Sequence, residues 1–242
     1  MGHHFNSTAW IRLQRDGRLL CALVMLIASA GFAQGPSPQE IRTVTAAEIA
    51  VLGKKKPDTL FRFTGTMMCE TAPGFCFFLD ETGPIRVRML NRIPVEPGDQ
   101  VEMTGTIWEY NGGWLGAITA VKRGKGKIPA PLFVRAGEAT PKEHNLRYIT
   151  VRGQVLEHAQ HTSYYIWDNL RRPLTVDVLV VNCDGVKVNV MCNKGTQVLQ
   201  YCPPGTVAEF TGMCRLEVFE RYGIESRNMD VVMTGMSGLR LI

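Results

Sequence analysis

No catalytic signature can be read from residue spacing anywhere in this 242-residue chain. There is no G-x-S-x-G, no H-E-x-x-H and no phosphate-binding loop, which leaves serine hydrolases, zinc peptidases and nucleotide hydrolases without their machinery. C-x-x-C pairs are also missing. Cys183, Cys192, Cys202 and Cys214 are separated by eight, nine and eleven residues, a poor match to zinc sites. Charge of one sign is scarce: the formal net charge is +5, small for a protein driven onto nucleic acid by charge alone. Long hydrophobic runs are absent too. Leu19 to Ala28 is an apolar stretch of about ten residues against the roughly 20 needed to span a bilayer, and no later segment is longer.

That one short run identifies a leader. Arg12, Arg15 and Arg18 precede it, and the small residues Ala28, Ser29, Ala30, Gly31 and Ala33 follow it. This is the order of a secretory signal peptide, with cleavage after Ala30 or Ala33. The expectation is a secreted or periplasmic protein with no transmembrane helix after residues 1–33. Removing three arginines and one aspartate with the leader leaves 24 basic against 21 acidic residues. The seven cysteines become six, an even number suited to an oxidising compartment.

Hydrophobic residues make up 45% of the chain, enough for a packed core. Within residues 34–56, a lead-in, Ile41–Leu52 reads as a helix. Thr45 stands as N-cap with Glu48 at capping-box spacing, and Gly53 ends it. The period then switches to two. Phe61, Phe63, Gly65, Met67 and Cys69 share one strand face. Residues 71–74 and 80–83 are turns, and Ile85, Val87 and Met89 alternate. Val101, Met103, Gly105 and Ile107 line a fourth strand, and Asn111-Gly112-Gly113 turns into a fifth, Trp114–Val121. Five short strands with tight turns predict a small barrel, which leaves no exposed sheet edge.

The order then repeats. Ile149–Val155 matches Phe61–Met67, with Gly153 on Gly65, and Gly205–Gly212 follows the pattern of Gly98–Gly105. Asp184-Gly185 is a hairpin turn that sets Val186 opposite Cys183 and Asp177 opposite Cys192. Most of the extra length of the second half falls in 158–177, where a longer loop or hairpin is expected. The expected fold is all-β: two five-stranded barrels at 57–124 and 146–242, joined by a Lys/Gly/Pro-rich linker at 125–145.

The motifs carry a resemblance. Phe77–Val87 (FFLDETGPIRV) with Pro97–Gly105 (PGDQVEMTG), and Val178–Val190 with Gly205–Cys214, look like OB-fold modules. Their tandem arrangement resembles the extracytoplasmic region of bacterial sensor histidine kinases. That family continues into a membrane helix and kinase domains, which have no counterpart up to Ile242. The resemblance therefore implies binding or sensing and carries no kinase chemistry.

Three groups of candidate functional residues follow. Trp108, Tyr110 and Trp114 surround the Asn111-Gly112-Gly113 turn, and Tyr164, Tyr165 and Trp167 lie in the inserted segment. Aromatic side chains beside an OB sheet stack on bases or sugars. They also serve as rim packing. The cysteines form the second group. If Glu70 pairs with Phe75, Cys69 stands opposite Cys76 at a separation close to disulfide range. Cys183, Cys192, Cys202 and Cys214 allow three pairings, Cys192–Cys202 among them. The third group is basic: Lys54–Lys56, and Lys122, Arg123, Lys125 and Lys127. These would suit phosphates, but residues 34–140 hold 13 basic and 11 acidic side chains and 141–242 hold 11 and 10. A solvated surface accounts for them. His144, His158 and His161 read as surface histidines, and Asp80, Glu81 and Asp168 as turn caps. No metal or cofactor is implied.

The expected function is a non-enzymatic, exported binding or sensor module for an unknown ligand, which acts through the loops near Trp108–Trp114 and 158–177. Two alternatives stand beside it: an extracytoplasmic nucleic-acid or polyanion binder, and a structural module that meets a protein partner. Oligomeric state is not legible.

Overall fold

Alternation with a period of two dictates the architecture, because every strand must put one face into a core and the other outside it. The computed structural model describes residues 41–242 except 54–58, 109–113, 168–169, 193–196 and 222–223. The leader, Lys54–Lys56, Tyr110 and Asp168 lie outside the described residues.

The first half opens with β1 (Arg42–Thr43) and helix α1 (Ala46–Leu52). Thr45 and Glu48 form the anticipated capping box: Oγ1 of Thr45 accepts from Glu48 N, and Glu48 Oε2 accepts from Thr45 N. Then come β2 (Phe61–Ala72), β3 (Phe75–Asp80), β4 (Gly83–Met89), β5 (Asp99–Trp108) and β6 (Trp114–Lys125). Their order around the sheet is β2-β3-β4-β6-β5, with β5 paired back to β2 and the β4–β6 pair parallel. This 1-2-3-5-4-1 closure is the OB-fold topology. Phe63, Phe78, Val87, Met103 and Leu115 fill the interior. Ile49 of α1 is buried among them. The β3–β4 turn grips the helix start, since Asp80 Oδ2 accepts from Ala46 N at 2.8 Å.

The segment after β6 lies against the second barrel. It contributes β7 (Leu132–Phe133), parallel to the next strand, and the short helix α2 (Pro141–His144). Leu146 N donates to Cys214 O, and Asn145 Oδ1 accepts from Leu216 N.

The second barrel comprises β8 (Tyr148–Trp167), β9 (Leu170–Cys183), β10 (Val186–Cys192), helix α3 (Val198–Tyr201), β11 (Val207–Arg221), β12 (Ile224–Met233) and β13 (Leu239–Leu241). The closure is the same: β8-β9-β10-β12-β11, back to β8, with β10–β12 parallel. Residues 158–177 form the outer arm of the β8–β9 hairpin, paired as far as Trp167↔Leu170. No described helix is long and apolar enough to cross a membrane.

Both barrels belong to one compact unit, Ile41–Ile242. A cluster of Met68, Cys69 and Phe77 from the first barrel and Met213 and Val232 from the second joins them, with Met191 and Tyr148 packed against it. Burial of apolar side chains of this size stabilises the contact by about 1.5–3 kcal/mol each.

The disulfide expected between Cys69 and Cys76 is absent, and the register explains why. The β2–β3 turn is tighter than expected: Ala72 pairs with Phe75, and Gly74 supplies a φ of +76°. An extra residue, Met68, is then accommodated between the pairs Met67↔Phe78 and Cys69↔Phe77. This bulge turns Cys69 toward the second barrel, while Cys76 stays inside the first. Cys183, Cys192, Cys202 and Cys214 are likewise free, all buried in the second core. Val186 does pair with Cys183, and Asp177 with Cys192. Desolvation pushes the thiols of Cys76, Cys183, Cys192 and Cys214 up to about 12, which suppresses the reactive thiolate. A native thiol titration should therefore detect none of these six, and all six should react after unfolding in denaturant without reductant. A mass two daltons lower per bridge in non-reduced material would contradict the free thiols.

Candidate ligand-binding face

The inward set of each strand fixes the outward set. In the first barrel Cys76 and Phe78 point in, so Phe75 and Phe77 point out. Ile85, Val87 and Met89 point in, so Arg86 and Arg88 point out. On β5 and β6, the inward Ile107 and Leu115 leave Thr106, Trp108, Trp114 and Gly116 outside. Register makes these neighbours. Phe75 pairs with Arg88, Phe77 with Arg86, Arg86 with Trp114, Arg88 with Gly116, and Trp108 with Trp114.

The result is a checkerboard of rings and guanidinium groups across β3, β4, β6 and β5. Arg86 lies 5.9 Å from the ring centre of Phe77 and 5.6 Å from that of Trp114. Arg88 lies 5.4 Å from Phe75 and 5.3 Å from Trp108. These separations are cation–π distances, which hold the arginines extended along the sheet. Phe75 and Trp114 meet edge to face at 5.8 Å and 80°. Trp108 Nε1 donates to Thr106 Oγ1 at 3.0 Å, so its ring lies over Gly116, where a Cβ would sit 2.6 Å from it. Of these six side chains Phe77 is buried against the second barrel and the other five are half-buried, so three rings and two guanidinium groups reach the surface.

The sequence reading found Trp108 and Trp114, and the structure brings them together. It missed Arg86, Arg88, Phe75 and Phe77, whose signal was the alternation of Ile85-Arg86-Val87-Arg88-Met89. Tyr164, Tyr165 and Trp167 lie along β8, opposite Pro173, Arg172 and Leu170. Their side chains fall outside the described residues.

The remaining candidates are structural. His158 Nε2 donates to Cys202 O at 2.7 Å, and His144 Nδ1 accepts from Thr140 N at 3.0 Å, so these two do not converge with His161. Among the described residues no group of three His, Cys, Asp or Glu is placed to hold a metal. Asp80 Oδ1 accepts from Thr82 N and Gly83 N, the expected turn cap. The basic residues at the end of β6 are paired: Lys122 and Lys125 each reach the buried Asp99 at 2.7 Å, and Arg123 reaches Glu102 at 3.0 Å.

The outer face of the second barrel is different. Ala159, Gln160 and His161 on β8, Val178 and Val180 on β9, Asn189 and Met191 on β10, Arg215 on β11, and Asn228 and Asp230 on β12 line a pocket of about 160 Å³. Asp230 is buried and accepts from Arg215 and from Asn189 Nδ2.

Comparison with known proteins adds likeness without identity. No family model matches the chain, and no curated protein matches it. A structure of a replication protein A heterotrimer bound to ssDNA matches 76% of this chain at 12% identity and a TM-score of 0.38. This chain spans about half, 48%, of that one. The tetrameric p202 HIN2 structure matches 75% of this chain and 93% of its own, at 8% identity and 0.31. The single-stranded DNA binding protein of Thermus aquaticus matches 76% of this chain and 91% of its own, at 13% identity and 0.23. The OB assignment rests on the strand order, and the sensor-kinase resemblance has no support beyond that barrel topology.

Asp99 offers a direct check on the paired lysines. Its two lysine contacts and the Glu96 N–H hold the carboxyl well below the usual carboxylate range. A group depressed in the folded state contributes stability above its unfolded value, about 3.9, and loses it as pH falls through the folded value. Asp99→Asn should cost about 2 kcal/mol at neutral pH, where charged hydrogen bonds are lost. The gap between wild type and variant in urea unfolding should be constant above about pH 5 and close below about pH 4. A gap that persists unchanged in acid would contradict the ion-pair account.

Proposed function

We propose that this chain is an exported, non-enzymatic binding protein that holds a single-stranded nucleic acid across the outer face of its first barrel. The array of half-buried Phe75, Arg86, Arg88, Trp108 and Trp114 carries the reading. Rings on neighbouring strands offer stacking surfaces to unpaired bases, and guanidinium groups beside them reach phosphates. OB barrels bind along this side of the sheet, across the second and third strands, here β3 and β4. The order of the leader supports export, and the missing catalytic spacings support a binding role. A sensor role would use the same surface and differ only in what binding triggers.

The near-neutral charge makes the reading specific. Two arginines release few counterions, so the slope of log affinity against log salt should be shallow, about −1.4 for two single-strand phosphates. Stacking should dominate, at about 1–3 kcal/mol per base. In fluorescence anisotropy with labelled oligothymidylate, Trp108→Ala should weaken binding by about five- to a hundredfold. The pair Arg86→Ala and Arg88→Ala should weaken it and flatten the salt slope. The reading fails if oligothymidylate does not bind at low salt, or if these variants bind like wild type.

A further inference from the structure

The two barrels can be superposed residue by residue through their register. Gly105 corresponds to Gly212, since both sit where β5 or β11 meets the closing strand, opposite Ala117 and Met233. Three residues on, Trp108 corresponds to Arg215. Their partners Trp114 and Asp230 correspond, as do Arg86 and Asn189, and Arg88 and Met191. Where the first barrel places rings, the second places hydrogen-bonding groups. The second face therefore has the location of a ligand surface but not the means to stack a base as the first does.

Its polar groups form a fixed network. Arg215 Nε donates to Asp230 Oδ2 at 2.8 Å, and its Nη2 contacts the same oxygen. Asn189 Nδ2 donates to Asp230 Oδ1 at 3.0 Å and to Asn228 Oδ1 at 3.1 Å. Asp230 is 2% exposed, so it orients the network and does not meet a ligand. The bonds that fix Asn228 use its Oδ1, which leaves its Nδ2 donors for the pocket. The Arg215 side chain is 32% exposed, and its Nη2 also reaches Met191 Sδ at 3.8 Å. The pocket thus sets the donors of Arg215 and Asn228, with Gln160 and His161 beside them, against the apolar Val178, Val180 and Met191.

We propose that this pocket is a base-reading subsite that takes one nucleobase by its edge, with guanine favoured. The inference rests on the nucleic-acid reading of the first barrel. Donors from Arg215 and Asn228 in one pocket call for a base edge that carries two acceptors, and O6 and N7 of guanine supply them. Adenine presents a donor beside N7 and leaves one pocket donor without an acceptor. Met191 links the subsite to the stacking face, because it packs on the cluster that contains Phe77, the ring beneath Arg86. A strand stacked on the first barrel can therefore reach the subsite across the contact between the barrels.

The test uses the full chain with free nucleosides and with oligonucleotides. Guanosine should shift the side-chain amide signals of Asn189 and Asn228, and thymidine should not. Replacing one thymine of an oligothymidylate by guanine should tighten binding by about five- to a hundredfold, the range for one bidentate base contact. Asn228→Ala should abolish that preference and leave oligothymidylate binding unchanged. Asn228→Asp, which swaps a donor for an acceptor in the same shape, should abolish it as well. Amide signals that no nucleoside moves, or a guanine preference that survives both variants, would overturn the subsite. Failure of every oligonucleotide to bind while guanosine still shifts the amides would instead overturn the first-barrel reading.

Discussion

A five-stranded sheet closes on itself here through one parallel pair, β4 with β6 and β10 with β12. That pairing places the third strand beside the fifth and fixes which side chains stand together outside the barrel. Arg86 meets Trp114 only because β4 runs parallel to β6 in that register, and Asn189 meets Asp230 for the same reason in the second barrel. A slip of one residue would bury the arginines and expose Val87 and Leu115. The packed interiors of Phe63, Phe78 and Met103, and of Val181, Val190 and Phe210, oppose such a slip. The outer faces are thus a consequence of core packing.

The same closure yields two unlike surfaces. The first barrel gives Met68, Cys69 and Phe77 to the contact between the barrels and carries half-buried rings and guanidinium groups beside them. In the second, Met213 and Val232, the counterparts of Thr106 and Gly116, are buried against Met68, Cys69 and Phe77. Part of that face is spent on holding the barrels together. What remains beside it is the polar pocket around Asp230.

Much of this was legible in the sequence, and the exceptions have physical causes. The helix start at Thr45, the strands, the Asp184-Gly185 register and the repeat followed from period and turn chemistry. Met68 did not, because an inserted bulge residue leaves apolar alternation readable on either side and shifts only the pairing across the strand. The disulfide expectation failed nearer the turn, where Ala72 and not Glu70 pairs with Phe75 and a second shift between Glu70 and Ala72 leaves Cys69 opposite Phe77. Arg86 and Arg88 were overlooked because basic residues were sought in runs, whereas a sheet presents every second residue. Lys122 and Lys125 looked like a solvated stretch, but the partner that holds them, Asp99, lies 23 residues before the first on the neighbouring strand. The pocket of the second barrel draws on five strands, so no local spacing announces it.

The central proposal is that a single-stranded nucleic acid lies across the outer face of the first barrel. Nuclear magnetic resonance of the indole N–H and guanidinium groups during titration with oligothymidylate tests it most directly. The account predicts that Trp108, Trp114, Arg86 and Arg88 shift together and saturate at one strand per chain. Unmoved signals at these four, with shifts concentrated on another surface, would contradict it.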